Sequence, residues 1–299
     1  MSNYKAKVVE VYSERILTNG KIDRAVASKM LEAGLDNLSP GGIGYDLLGE
    51  MFSQGQTIGI KVNTLAGRRM STSPELVYSL AEILHKIGHH KENIIIWDRS
   101  ERELKSAGYQ VKTGESDFLC FATDTSGAGF SRQLYKHKSI GSLISKIQAE
   151  MVDSVINFPI LKDHSLAGLS GCLKNYYGAI HNPNKYHENL CDPYQADLFA
   201  LDVIGGKQRL AVFDAIRIQY NGGPGFVGRW AEEYKTIVMS SDAVALDVIG
   251  VEIIDRQRTK RGLKRLKESG REPVGLHRAG KDGLGCADLN DIEWVTIEV

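Results

Sequence analysis

The 299-residue chain is 42% hydrophobic and 25% charged, and 37 Lys and Arg balance 37 Asp and Glu. That length supports a large buried core. The neutral balance argues against a general nucleic-acid binder, no apolar run is long enough to span a membrane, and no leader-like segment opens the chain, so a cytoplasmic protein with no membrane partner is expected.

Thr57–Asn63 (TIGIKVN) predicts a strand, followed by a polar loop over 64–73. Ser73 then caps a helix with Pro74 at its first position. Leu76, Val77, Leu80, Ile83, Leu84 and Ile87 form its 3.6-residue apolar stripe, and Gly88 stops it. Ile94–Trp97 is a short, fully apolar strand of the kind a parallel sheet covers on both faces. Together these elements predict a right-handed βαβ unit. The polar, Gly-rich stretch over 114–139 is read as a connection between two intimate lobes of a single domain spanning 1–299.

Further on, Ser154–Phe158 predicts a strand ending at Pro159, and 166–177 a helix. Asp192 and Pro193 open a helix to about Ile204, stopped by Gly205 and Gly206. Arg209–Phe213 predicts a strand ending at Asp214, and Thr236–Met239 another. Ser241 or Asp242 caps a helix reaching about Arg258, apolar on nearly all sides and therefore central. The basic run 259–267 reads as a solvated helix face, and Ile292–Val299 as an edge strand. The alternation gives an α/β fold with a mainly parallel sheet and helices on both faces.

Ligands of open parallel sheets bind beyond the carboxyl ends of the strands. The residues following each strand are Asn63, Asp98 with Arg99, Lys162 to His164, Asp214, and Ser241 with Asp242. For Asp98, Ser241 and Asp242, helix capping is the competing role. The segment KDHSLAGLSGCLKNYYGAIHNPNKYH, from Lys162 to His187, is the densest in chemistry. Gly168 and Gly171 inside one helix imply close approach of another backbone or a ligand. Lys174 lies ten residues beyond His164, about 15 Å along a straight helix, so both line one site only if the helix breaks at a glycine. His164, His181 and His187 lack the spacing of a one-face metal pair, and general acid/base work by His164 or His181 fits better. Lys162 beside Asp163 reads as an ordinary ion pair.

Gly223, Gly225 and Gly228 match G-x-G-x-x-G, but the strand ends well before them, so NGGPGFVG is expected to be a mobile loop or lid rather than a dinucleotide turn. Cys120, Cys172, Cys191 and Cys286 are scattered, with no C-x-x-C pair. Neither a disulfide framework nor a local metal cluster is expected; any cluster would draw ligands from distant segments or another subunit.

INFPILKDHSLAGLSGCLKNYYGAIHNP resembles the core motif of the domain-of-unknown-function family three hundred and sixty-two, through Pro159, Lys162, His164, Lys174, Asn175 and Gly178. Lys61, Asn63, the Ser73-Pro74 start, Asp98, Asp214 with Gly222 to Pro224, Asp242, Asp247 and the tail GLGCADLNDIEW extend the resemblance over about 50–299. It implies an association with redox metabolism and iron–sulfur proteins, although the ferredoxin-like cysteine module of many relatives is absent here. The resulting expectation is an enzyme acting on a small anionic molecule. Lys162 and Lys174 hold the anion, and His164 acts as acid or base. Asn63, Asn175, Asp98 and Asp242 orient groups, and Asp247, if buried in its apolar helix, pairs with a site lysine. One alternative is a non-catalytic carrier or maturation factor for a cofactor or metal. Another is a structural hydrogen-bond network in which every lysine meets a carboxylate. Reaction, cofactor and oligomeric state are not legible in these residues.

Overall fold

Alternation sets the two faces of the central sheet. In the strand Ile58–Val62, residues 58, 60 and 62 join one apolar core, while Ile95 and Trp97 of the neighbouring strand Ile94–Asp98 join the core on the opposite face. A computed structural model describes residues 5–114 and 117–299.

In chain order, β1 (Ala6–Tyr12) leads through the small hairpin β2 (Leu17–Thr18) and β3 (Lys21–Ile22) to α1 (Arg24–Leu38) and α2 (Gly44–Met51). The predicted βαβ unit follows as β4 (Ile58–Val62), α3 (Pro74–Lys86) and β5 (Ile94–Asp98), then α4 (Glu101–Ala107) and β6 (Leu119–Ala122). A second hairpin, β7 (Phe130–His137) and β8 (Ile140–Ser145), precedes β9 (Ser154–Phe158), β10 (Ile160–His164) and β11 (Gly168–Leu169). The chain closes with α5 (Cys172–Asn175), α6 (Tyr194–Phe199), β12 (Gln208–Gln219), β13 (Ala231–Ser240), α7 (Ala243–Lys260), α8 (Val274–Lys281) and β14 (Ile292–Glu298).

The main sheet runs β14-β1-β13-β12-β9-β4-β5-β6, with β10 on β12 and β11 on β10. Among the described residues of this sheet, only the β1/β13, β12/β13 and β10/β11 pairs are antiparallel. The α/β fold with a mainly parallel sheet is therefore present. Helices α1 and α3 lie over the core that contains Ile60 and Ile96, and α7 over the core that contains Trp97 and Phe213. α7 is buried all round in its first turn, as expected, and Asp242 caps it by accepting from the Val244 and Ala245 amides. β14 is the expected edge strand.

Several boundaries differ from the sequence reading. The predicted helix over 166–177 is absent. Its place is taken by the β10–β11 turn, a four-residue helix α5 and a 3-10 turn over Tyr176–Ala179. Asp214 does not end its strand but lies mid-way along β12, whose 12 residues pair first with β9 and then with β10. The helix after Pro193 covers only Tyr194–Phe199, and the basic run leaves its helix at Lys260. The described residues of the stretch over 114–139 include β6, which extends the main sheet, and most of them beyond residue 129 form β7.

The handover along β12 opens the site. Pairing of β4 with β9 ends at Val62 and Phe158. Beyond Pro159 the chain follows β12, leaving β4, and the 64–73 loop fills the gap through a Thr72 hydroxyl bond to the Phe158 carbonyl.

Candidate functional site

Two polar layers occupy this opening. The first is a closed network. Lys61 projects from the otherwise apolar β4, and its Nζ donates to Asp98 Oδ1 at 2.7 Å, the Val62 carbonyl at 2.7 Å and Asn175 Oδ1 at 3.2 Å. Asp98 Oδ2 accepts from both the amide and hydroxyl of Thr64. Asn175 donates to Asn157 Oδ1, and Asn157 to Gln208 Oε1 and the Cys172 carbonyl. Every charge here has its counter-charge, which is what a buried ion pair requires. Gly178 belongs to the same layer: a Cβ there would meet Asp98 Oδ1 and Lys61 Nζ at 3.0 Å each.

The second layer is cationic and open-ended. Lys162 is fully buried, and its ammonium, with three protons to donate, has one protein acceptor among the described residues, the Met70 carbonyl at 3.2 Å. Burial pushes it down to about 8. Lys174 retains a small exposed area, lies 3.6 Å above the Tyr177 ring, and is likewise pushed down to about 8 by burial. Its Nζ lies 3.0 Å from His187 Nε2, and the His187 ring stacks on His164 at 5.8 Å. Among the described residues no carboxylate lies within 4.0 Å of Lys162 or Lys174.

The hydrogen bonds assign both tautomers. His187 Nδ1 faces the Pro183 carbonyl at 3.1 Å, so it carries the proton and Nε2 accepts from Lys174. His164 Nδ1 accepts from the Leu166 and Ala167 amides at 3.1 Å each, so its proton sits on Nε2. Burial, with Lys174, His187 and Lys162 nearby, pushes His164 down to about 3. It is a neutral ring that donates from Nε2, better suited to polarising an oxygen than to acting as a base at neutral pH.

The rest of the predicted set is dispersed. His181 is exposed and packs edge-on against Phe130, and His187 takes the place beside His164. Asn63 sits at the end of β4 with its Oδ1 buried and unpartnered among the described residues. Asp214 accepts from the Ser73 and Ile216 amides. Asp242 caps α7 and also accepts from the Cys286 amide. Asp247 does not pair with a lysine. It accepts from the Cys172 and Leu173 amides at 2.6 and 3.0 Å, holding the start of α5, and burial pushes it up to about 7. Asp163 points away from Lys162 and pairs with Arg271 at 2.8 Å and the Gly223 amide. The small-residue patch serves these contacts. A Cβ on Gly171 would sit 2.2 Å from Asp247 Oδ1, and Gly168, at φ +76°, faces the Arg271 carbonyl. The 221–228 loop is anchored rather than free: Gln219, Asp163, Arg258 and Arg271 all bond to it.

Cys120, Cys172 and Cys191 are buried and Cys286 partly so, none in a disulfide. No group of three or more His, Cys, Asp or Glu among the described residues is placed to hold a metal. No helix among the described residues is long and apolar enough to cross a membrane.

The profile of the family described as Domain of unknown function (DUF362) matches residues 58–252. The chain belongs to that family. Both polar layers lie within the matched span, whereas β1, α1, α8 and the Gly283–Trp294 tail lie outside it. No curated protein matches the chain. Among solved structures, a Thermotoga maritima protein from a structural genomics consortium is similar, at 10% identity and a TM-score of 0.40. The likeness covers 87% of this chain and 59% of that one.

Proposed function

We propose that this DUF362 protein is an enzyme acting on a small anionic molecule held by Lys162 and Lys174, with the Nε2–H of His164 donating to one of its oxygens. The observation that carries the reading is the lack of a counter-charge. A purely structural network would give each lysine a carboxylate. Lys61 has one, while among the described residues Lys162 and Lys174 do not. An oxyanion would satisfy the spare ammonium protons and relieve the cost of burying them. The chemistry available is proton transfer by an amine titrating near neutrality, beside a neutral imidazole that stabilises charge on oxygen.

The test is thermal stabilisation by phosphate, sulfate or oxalate at pH 7, in the parent protein and in Lys162→Met/Lys174→Met and His164→Ala. The reading expects stabilisation in the parent that falls in the lysine variant and fades above about pH 8, where the lysines discharge. Stabilisation that the double substitution leaves undiminished refutes it. Binding without turnover of any anion would place the protein with carriers instead.

A further inference from the structure

A separate cavity of about 620 Å³ opens between the 64–73 loop, the start of α3, the β2–β3 turn and Phe226. Its apolar lining comes from Ile22, Pro74, Ala107 and Phe226. Its charged groups do not cancel. Arg217 is 3.5 Å from Glu233, and Glu232 is bound by Arg261. That leaves Lys21, Arg68 and Arg69 without a carboxylate within 4.0 Å among the described residues, against Glu75 alone. The Arg69 guanidinium lies 4.5 Å from the centre of the Phe226 ring, and both residues line the cavity. Ser71 lines the same wall. It is 5% exposed, and its hydroxyl is buried with no hydrogen-bond partner among the described residues. A buried hydroxyl is expected to be bonded. One beside unpaired guanidinium groups is matched by an oxygen-rich anion.

We propose that this cavity is a second binding site, distinct from the Lys162–Lys174 cluster, for an organic molecule carrying a phosphate or carboxylate. Arg68, Arg69 and Ser71 take the oxyanion, and the apolar lining takes the body. The volume requires the body: it falls in the range of small-molecule pockets, whereas a bare inorganic anion leaves most of it unfilled. The two sites meet at one chain segment, since Ser71 follows Met70, whose carbonyl holds Lys162. The 64–73 loop therefore faces both.

Isothermal titration with phenyl phosphate, inorganic phosphate and phenol tests this, using the 299-residue chain in parent form and as Lys162→Met/Lys174→Met. The second background silences the inner cluster, so failure of one site is distinguishable from failure of the other. Phenyl phosphate is expected to bind both proteins, more tightly than inorganic phosphate, and phenol not at all. In the lysine background, Arg68→Met/Arg69→Met removes two exposed side chains without a carboxylate partner among the described residues and should weaken phenyl phosphate binding about tenfold or more, with added salt acting in the same direction. Ser71→Ala should weaken it by a smaller factor. The proposal is overturned if phenyl phosphate does not saturate the parent. It is also overturned if the arginine variant binds equally well, if phenol matches phenyl phosphate, or if binding disappears in the lysine background.

Discussion

Replacing Lys162 by methionine should stabilise the protein while removing its anion site. The ammonium is fully buried with a single acceptor and titrates at about 8 instead of 10.5. At ~1.4 kcal/mol per tenfold change in acidity, keeping it charged at pH 7 costs the fold roughly 3 kcal/mol. Methionine has a similar volume and no charge. It forfeits the bond to the Met70 carbonyl, worth about 1 kcal/mol, so a net gain of roughly 2 kcal/mol, or a few degrees in Tm, is expected. The pH dependence supplies the sharper test. The folded state holds fewer protons than the unfolded one between about pH 8 and 10.5, so parent stability rises across that window and Lys162→Met lacks the rise. By pH 9.5 the advantage of the variant should have shrunk by about 2 kcal/mol. Denaturant melts at pH 7 and pH 9.5, in buffers free of phosphate and carboxylates, measure both quantities. A variant that is less stable than the parent at pH 7, by an amount that does not change with pH, would mean that Lys162 is a paired structural charge and that the reasoning here fails.

Other substitutions separate scaffold from site. Lys61→Met strands the Asp98 carboxylate in the interior and should cost about 3–5 kcal/mol in a urea melt, partly recovered in Lys61→Met/Asp98→Leu. Gly171→Ala drives a methyl onto Asp247, at 2.2 Å from Oδ1, and should both lower stability by roughly 1–3 kcal/mol and weaken phosphate binding, because α5 carries Lys174. His89 is 2% exposed, and burial lowers its pKa below 6.5. Its neutral form is the one the fold accepts, so its contribution is complete above pH 6.5 and is lost as the pH falls through the acid range. His89→Leu should make that part of the stability profile less steep, His164 still contributing there, and an unchanged slope would refute the assignment.

Periodicity alone determined the β4–α3–β5 unit, the buried start of α7, the edge strand β14 and the parallel sheet, because each follows from local patterning of apolar residues between clear caps and stops. The density of ionisable residues also singled out one segment, and the fold brings Lys162 and His164 on β10 and Lys174 and Asn175 on α5 to the opening beyond the β4–β9 pairing. The residues before β4 carried no such legible signal, and β1 owes its place in the sheet to pairing with β13 and β14, more than 200 residues away. The structure alone decided how the segment folds. A helix over 166–177 satisfies local propensity, but the chain instead turns at Gly168 and restarts after Gly171, where the Arg271 carbonyl and the Asp247 carboxylate come too close for any side chain. That break brings His164, His187 and Lys174 together, leaves His181 at the surface, and gives Asp163 to Arg271 rather than to Lys162. Which charge is paired and which is left bare depends on partners about a hundred residues away, and local sequence spacing holds no record of them.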